Sequence, residues 1–198
     1  MTVQLKDAEQ FAVTQKITLA VNRYDIRSLD ADGKPGALLA TAQQKRLAFK
    51  EQVTFFADEA RTMPVFSFKA RKRLDLGSGY DVVDAEGAPI GSFRKDFGKS
   101  LLRSTWHLEA DGLTSTGTER NATVAVLRRA WNLVPVVGEI PMPFLFHFDF
   151  VDDRDRPVLT STRRISARDR YDITVPGGLV DGRLAAAMAV ALDALQDR

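Results

Sequence analysis

The sequence lacks cysteine, contains only two histidines and carries little net charge. Without cysteine there is no disulfide framework, no thiolate nucleophile and no cysteine-bound metal, and such a composition fits a reducing cytoplasm. The 28 Lys and Arg residues nearly balance the 26 Asp and Glu residues, and the net charge of +2 argues against nucleic acid as a partner. A hydrophobic content of 44% is typical of a globular chain with a real core.

Long hydrophobic runs are absent as well. The apolar stretch at residues 184–192 is far shorter than the ~20 residues that cross a bilayer. A second apolar stretch, residues 133–148, is interrupted by three prolines. The first residues show no basic segment followed by an apolar run, so no signal peptide is predicted. We therefore expect no transmembrane segment and a cytoplasmic location, either in solution or peripheral to a membrane.

The last predicted helix is apolar on every side. Residues 184–192 are all Ala, Leu, Met or Val, whereas a helix at a protein surface keeps one polar face. Asp181 is placed to cap this helix, and Gly177 and Gly178 separate it from the strand before it. Because most of the chain has the patterns of strands and turns, we expect a sheet wrapped around a buried C-terminal helix.

A strand–turn–strand unit recurs along the chain. Residues 80–95 align without gaps to residues 148–163, and a looser copy begins at Tyr24 and turns at residues 30–35. Each copy has aromatic and β-branched residues, then Asp or Gly in a turn, then a second strand, which is the pattern of a β-hairpin. The repeat predicts duplicated hairpins of one antiparallel sheet.

Further strands fill the intervals between the hairpins, and nothing in the composition divides the chain. Apolar residues at helical spacing predict a short amphipathic helix at residues 122–134, with a strand as the alternative. We expect one domain over residues 1–198. The further strands are predicted at residues 49–56, 65–71 and 170–176, and at 105–109, where a turn at 110–112 leads into a Thr- and Ser-rich return strand.

The order of these elements resembles the tubby C-terminal-like superfamily, and within it the LURP-one-related group, to which phospholipid scramblases are distantly related. The resemblance spans roughly residues 11–195 and implies a closed antiparallel β-barrel of about a dozen strands with the C-terminal helix along its axis. Closing a sheet in this way also removes its unpaired edges. The segments that carry the resemblance are Tyr-Asp-Val-Val-Asp-Ala-Glu-Gly at 80–87, Phe-Arg-Lys-Asp-Phe at 93–97, Phe-His-Phe-Asp-Phe-Val at 146–151, Tyr-Asp-Ile-Thr-Val-Pro at 171–176 and Asp-Gly-Arg-Leu-Ala at 181–185.

The resemblance also implies a role at phosphoinositides or membrane surfaces. The scramblases carry a membrane-inserting C-terminal helix and a cysteine-rich tract, and this sequence has neither feature. Lipid scrambling is therefore not expected.

Two acidic segments, residues 30–33 and 152–155, resemble fragments of calcium-binding loops. An EF-hand loop needs Glu at its twelfth position, which is Thr41 when counted from Asp30, so hairpin turns explain both segments better. His107 and His147 lie in strand-like segments without a recognisable catalytic pattern, and we expect partly buried structural histidines. No metal site, cofactor or catalytic residue is predicted, and the chain is expected not to be an enzyme.

Clusters of basic residues beside the strands are the main functional signal. If several clusters end at the same rim of a barrel, they form a surface that attracts anions. The alternative is that they are solvated strand faces paired with neighbouring acidic residues. The candidate anion- or lipid-binding residues are Lys69, Arg71, Lys72, Arg73, Arg94, Lys95, Arg128, Arg129, Trp131, Arg163 and Arg164, with Lys99, Arg103, Arg168 and Arg170 near them.

These clusters predict a non-enzymatic module that binds a phosphorylated small ligand or an anionic membrane surface. The alternative is a protein-interaction or scaffold module without a lipid role, for which Trp131 and residues 141–144 are candidate contacts. A third hypothesis is an enzyme with a pocket at the barrel mouth, and a histidine enclosed with a carboxylate would favour it.

Overall fold

The computed structural model describes residues 4–17, 21–45, 52–71, 79–96, 104–120, 147–164 and 169–196. This part of the chain forms twelve β-strands, one α-helix over Gly182–Gln196, and single 3₁₀ turns at Leu5–Asp7 and Pro176–Gly178. The strands are β1 (Gln10–Ile17), β2 (Val21–Leu29), β3 (Pro35–Lys45), β4 (Gln52–Phe56), β5 (Pro64–Ala70), β6 (Tyr80–Asp84), β7 (Pro89–Lys95), β8 (Thr105–Ala110), β9 (Leu113–Glu119), β10 (His147–Asp152), β11 (Pro157–Arg164) and β12 (Arg170–Thr174).

The twelve strands form a closed antiparallel barrel. Each strand pairs with the next one in sequence, and β12 pairs with β1, so that Gln10 lies opposite Thr174 and Thr14 lies opposite Arg170. Closure leaves no row of unpaired N–H and C=O groups at an edge. The predicted barrel of about a dozen strands is confirmed.

Side chains alternate between the barrel interior and the outer wall, as strand geometry requires. On β5, Phe66, Phe68 and Ala70 are buried, whereas Lys69 points to solvent, as the alternation in the sequence predicted. The inward aromatic residues of neighbouring strands stack on one another: the ring centroids of Phe55 and Phe66 are 4.1 Å apart. This aromatic row supplies much of the barrel wall's contribution to the core.

The C-terminal helix fills the barrel. Every side chain from Leu184 to Leu192 is at most 3% exposed, and these side chains form one cluster with the inward residues of the strands. A twelve-stranded barrel has an interior that side chains from the wall alone do not fill, so the helix completes the core. The backbone N–H of Arg183 donates to Asp181 Oδ1 over 2.8 Å, which confirms Asp181 as the helix cap.

Three hairpins share one turn chemistry, which explains the sequence repeat. In the β6–β7 hairpin, Asp84 Oδ1 accepts the backbone N–H groups of Glu86 and Ala88 at 3.1 and 2.7 Å, and Gly87 has a φ of 88°. Asp30 and Asp152 accept equivalent pairs of N–H groups, and a proline starts each return strand. The prediction of hairpin turns at these acidic segments is confirmed, because their carboxylates bind the turn itself.

Connections between antiparallel strands alternate between the two ends of a barrel. We call the end that carries the β2–β3, β4–β5, β6–β7, β8–β9 and β10–β11 hairpins the turn end, and the opposite end the far end. The helix begins at the turn end. Its last turn reaches the far end, where Tyr24 and Tyr171 lie at the beginnings of β2 and β12 and donate hydrogen bonds to Asp193.

The β2–β3 hairpin bends over the outer wall. The pairing register shifts twice, on either side of Arg27, and such irregularities bend a strand. At the tip, Gly33 O accepts a hydrogen bond of 2.6 Å from the Arg170 guanidinium on β12. The tip of this hairpin therefore lies against the wall and is not part of the turn-end surface.

Candidate anion-binding surface at the far end

Strand topology brings the described members of the basic clusters to one end of the barrel. β5, β7 and β11 all finish at the far end, and β12 starts there. The described candidates at or beside these strand ends are Lys69, Arg71, Arg94, Lys95, Arg163, Arg164 and Arg170. Lys72, Arg73, Lys99, Arg103, Arg128, Arg129, Trp131 and Arg168 lie outside the described residues, as do the predicted helix at 122–134 and the candidate contacts at 141–144.

Several of these cations are paired with acidic neighbours. Arg71 donates to Asp81 Oδ1 through both Nε and Nη2, at 2.9 and 2.8 Å, and Arg163 binds Asp169. The hydrogen bond from Arg71 to Asp81 raises the pKa of the guanidinium.

One carboxylate on β12 serves two arginines. Arg164 and Arg170 donate to the two oxygens of Asp172 over 2.7 and 2.8 Å. Together with the Arg71 and Arg163 pairs, this contact matches the alternative prediction that part of the basic clusters is paired within the wall. Arg164, Arg170 and Asp172 together carry a net charge of +1.

Lys95 differs from the other candidates because it belongs to the barrel interior. It lies opposite Trp106 in the strand register, and its Nζ is 5.8 Å from the centre of the Trp106 ring, which is fully buried. This is the geometry of a cation–π contact. Lys95 therefore stabilises the far end from inside and does not project from the outer wall.

At the far end, three exposed cations form no ion pair with any described residue: Arg23 on β2, Lys69 on β5 and Arg94 on β7. Lys69 lies opposite Asp81, but Arg71 occupies that carboxylate. Arg94 lies opposite His107. Arg23 was not predicted from the sequence, because it is a single arginine within a strand and forms no basic cluster along the chain.

The stretches that connect the strands have opposite charge balances at the two ends. The six that join strands at the far end contain eleven Lys and Arg and five Asp and Glu; they are residues 18–20, 46–51, 71–79, 96–104, 120–146 and 165–169. Without the β2–β3 hairpin, whose tip lies against the outer wall, the four turns at the turn end contain three Lys and Arg and six Asp and Glu; they are residues 57–63, 85–88, 111–112 and 153–156. Most of the far-end connections lie outside the described residues, so the sequence of the connections predicts a separation of charge that the small net charge of the chain does not reveal.

A chain of three polar side chains lies on the outer wall near the far end. His107 Nε2 is 3.1 Å from Asp96 Oδ2, and His107 Nδ1 is 3.2 Å from Thr116 Oγ1. A carboxylate, an imidazole and a hydroxyl in this order also occur in nucleophilic triads. Here β8 and β9, which carry His107 and Thr116, pair with strands on both sides, so among the described residues their N–H groups serve the sheet and do not form an oxyanion hole.

His147 is the other histidine on the outer wall, and it is half-buried. Burial lowers its pKa, and the positive charges of Arg120 and Arg164 act in the same direction, against the opposing effect of Asp149. Arg120 holds Asp149 in a bidentate pair at 2.6 and 2.5 Å. The prediction of partly buried histidines is confirmed for both positions.

Inside the far end, a carboxylate fixes the end of the helix. Tyr24 and Tyr171 donate to the two oxygens of Asp193 over 2.9 and 2.7 Å. Burial raises the pKa of both phenols, and the negative charge of Asp193 raises it further. Sequence reasoning missed this cluster because 169 residues separate Tyr24 from Asp193.

Within the described ranges, no helix has the length and apolar character needed to cross a membrane. The same residues contain no group of three or more His, Asp or Glu side chains placed to hold a metal ion.

The family model of the LURP-one-related proteins matches residues 38–193. The matched range begins within β3 and ends in the C-terminal helix, so β1 and β2 precede it. No curated protein matches the chain. Because the family match covers well over half of the chain and the barrel agrees with the fold that the resemblance implied, the protein belongs to the LURP-one-related family.

Proposed function

We propose that the protein is a non-enzymatic barrel module that binds phosphate-bearing anions through exposed Arg and Lys side chains at its far end. The observation that carries this proposal is the presence of Arg23, Lys69 and Arg94 at that end, exposed and without an acidic partner among the described residues. Lys72, Arg73, Arg128 and Arg129 remain predicted contributors from the sequence.

The spacing of the three exposed cations favours an extended anionic surface over a single phosphate group. They lie on β2, β5 and β7, so neighbours in this set are two or three strands apart. At ~4.8 Å per strand, that separation is roughly 10–15 Å, which exceeds the reach of one phosphate. Each cation near an anionic leaflet contributes about 1 kcal/mol, so this set supports weak, reversible binding.

Co-sedimentation with lipid vesicles tests the proposal. We expect binding to vesicles of phosphatidylcholine with phosphatidylserine, little binding to phosphatidylcholine alone, and weaker binding as salt is added. Soluble inositol trisphosphate separates the two sources of phosphate: displacement from the vesicles indicates a small-ligand site, and retention indicates the bilayer surface. Equal binding to both kinds of vesicle, unaffected by salt, contradicts the proposal.

The non-enzymatic part of the proposal is supported by the family, which is not known for an enzymatic activity. The alternative of a protein-interaction module stays a prediction. Its test is a pull-down from cell extract combined with light scattering, and a strictly monomeric protein that retains no partner would count against it.

A further inference from the structure

We propose that the barrel docks end-on at an anionic bilayer, with the far end against the headgroups and the turn end directed into water. This inference rests on the proposed function and adds the orientation of the bound molecule. The charges at both ends support it, because an anionic bilayer attracts the cations of the far end and repels the carboxylates of the turn end.

The turn end is exposed and has an excess of acidic side chains, although Lys6 and Arg154 are exposed there too. Glu86, Asp111 and Asp153 lie exposed in three different hairpin turns, and Asp7 and Glu9 lie exposed just before β1. The carboxylates that cap turns, such as Asp84, are separate from this set and are already satisfied by backbone N–H groups. An anionic surface repels this end while it attracts Arg23, Lys69 and Arg94 at the other.

The two ends are far enough apart to respond separately to a charged surface. A seven-residue strand such as β5 rises ~3.3 Å per residue, and a tilt of about 40° leaves a height of roughly 18 Å along the barrel axis. Electrostatic interactions in physiological salt decay over about 8 Å. When the far end touches the headgroups, the acidic turns therefore lie more than two screening lengths away.

A side-on approach lacks this advantage. It brings acidic turns and basic rim to the same distance from the surface, so repulsion offsets attraction. The helix macrodipole acts in the opposite direction, because its positive N-terminal end lies at the turn end and its negative C-terminal end lies at the far end, but its effect falls off within one turn, so the side-chain charges decide the orientation. The charge distribution thus selects one orientation.

Because the sequence contains no cysteine, one introduced cysteine can be labelled specifically, and this allows a direct test of the orientation. Gln52→Cys places one thiol on the far end, at an exposed position opposite Lys69, and Ala85→Cys places one in the exposed β6–β7 turn. Each variant is labelled with the same fluorophore and bound to phosphatidylcholine–phosphatidylserine vesicles that carry a nitroxide quencher on the headgroups. Binding is measured by co-sedimentation on the same samples.

We expect the label at residue 52 to be quenched on binding and the label at residue 85 to keep its intensity. Loss of binding only when residue 52 is labelled also supports contact at the far end. Equal quenching of both labels, or stronger quenching at residue 85, overturns the orientation while leaving the proposed function in place. Failure of unlabelled protein and both labelled variants to bind overturns the proposed function and the orientation with it.

Discussion

At the scale of single residues, the core depends on side chains of the helix that touch no water. Met188 lies in the middle of the helix and is 0% exposed. An unpaired carboxylate at that position loses its hydration, and the cost of several kcal/mol is comparable to the total stability of a typical domain. A single charged side chain at position 188 therefore decides whether the barrel forms.

We predict that Met188→Asp abolishes cooperative unfolding in a urea titration followed by circular dichroism. Met188→Leu, which keeps the volume and the apolar character, serves as the control and is expected to cost less than about 1.5 kcal/mol. Cooperative unfolding of Met188→Asp near the midpoint of the unchanged protein would show that the helix is peripheral.

The phenols of Tyr24 and Tyr171 make stability depend on alkaline pH. Burial and the charge of Asp193 hold the pKa of both groups above the ordinary value of about 10. In the unfolded chain these phenols ionise near that value, whereas in the folded barrel they stay protonated. The stabilisation is therefore complete below about pH 10 and is lost as pH rises above it.

We predict that the free energy of unfolding falls above about pH 10, with the two phenols contributing about 2.7 kcal/mol per pH unit. Tyr171→Phe removes one of them and should reduce the slope by about half of that amount. Urea titrations over this pH range measure both slopes. Identical slopes in the two proteins would mean that Tyr171 ionises freely in the folded state.

At the scale of elements, an aspartate in the turn fixes the backbone conformation of three hairpins. Each of Asp30, Asp84 and Asp152 accepts two backbone N–H groups of its own turn, so the carboxylate replaces hydrogen bonds that the sheet cannot supply there. Asp30 and Asp152, which lie in the segments that resemble calcium loops, therefore stabilise hairpin turns.

We expect Asp84→Ala to lower the free energy of unfolding by about 1 to 2 kcal/mol, the net value of two hydrogen bonds. Asp84→Asn keeps an acceptor oxygen and should lose less. Glu86→Ala in the same exposed turn is the matched control and should change stability by less than about 0.5 kcal/mol. Thermal unfolding of the three variants checks the order, and equal losses in all three would contradict this role of Asp84.

The features that the sequence predicted correctly depend on neighbours along the chain. The hairpin at residues 80–95, the alternation on β5 and the apolar helix each follow from patterns a few residues long. The pairing of Arg164 and Arg170 with Asp172, and the contact of His107 with Asp96, depend on strand register and could not be predicted from spacing. The bend of the β2–β3 hairpin onto Arg170 is a long-range contact of the same kind.

At the scale of the whole molecule, closure of the sheet places Arg23, Lys69 and Arg94 at one end of the barrel and Glu86, Asp111 and Asp153 at the other, although the net charge of the chain is only +2. The connections alternate between the ends, so a sequence that alternates acidic turns with basic connections separates charge once it folds. The proposed function depends on this separation and not on net charge. A test must therefore change the charge of one end at a time.

The most direct measurement compares two double variants on phosphatidylcholine–phosphatidylserine vesicles. Lys69→Gln with Arg94→Gln removes two exposed cations from the far end, and Lys6→Gln with Arg154→Gln removes two exposed cations from the turn end, so both variants lose the same net charge. We predict that the partition coefficient falls about 30-fold for the far-end variant and changes little for the turn-end variant. An equal fall in both variants, or no fall in either, would contradict this prediction.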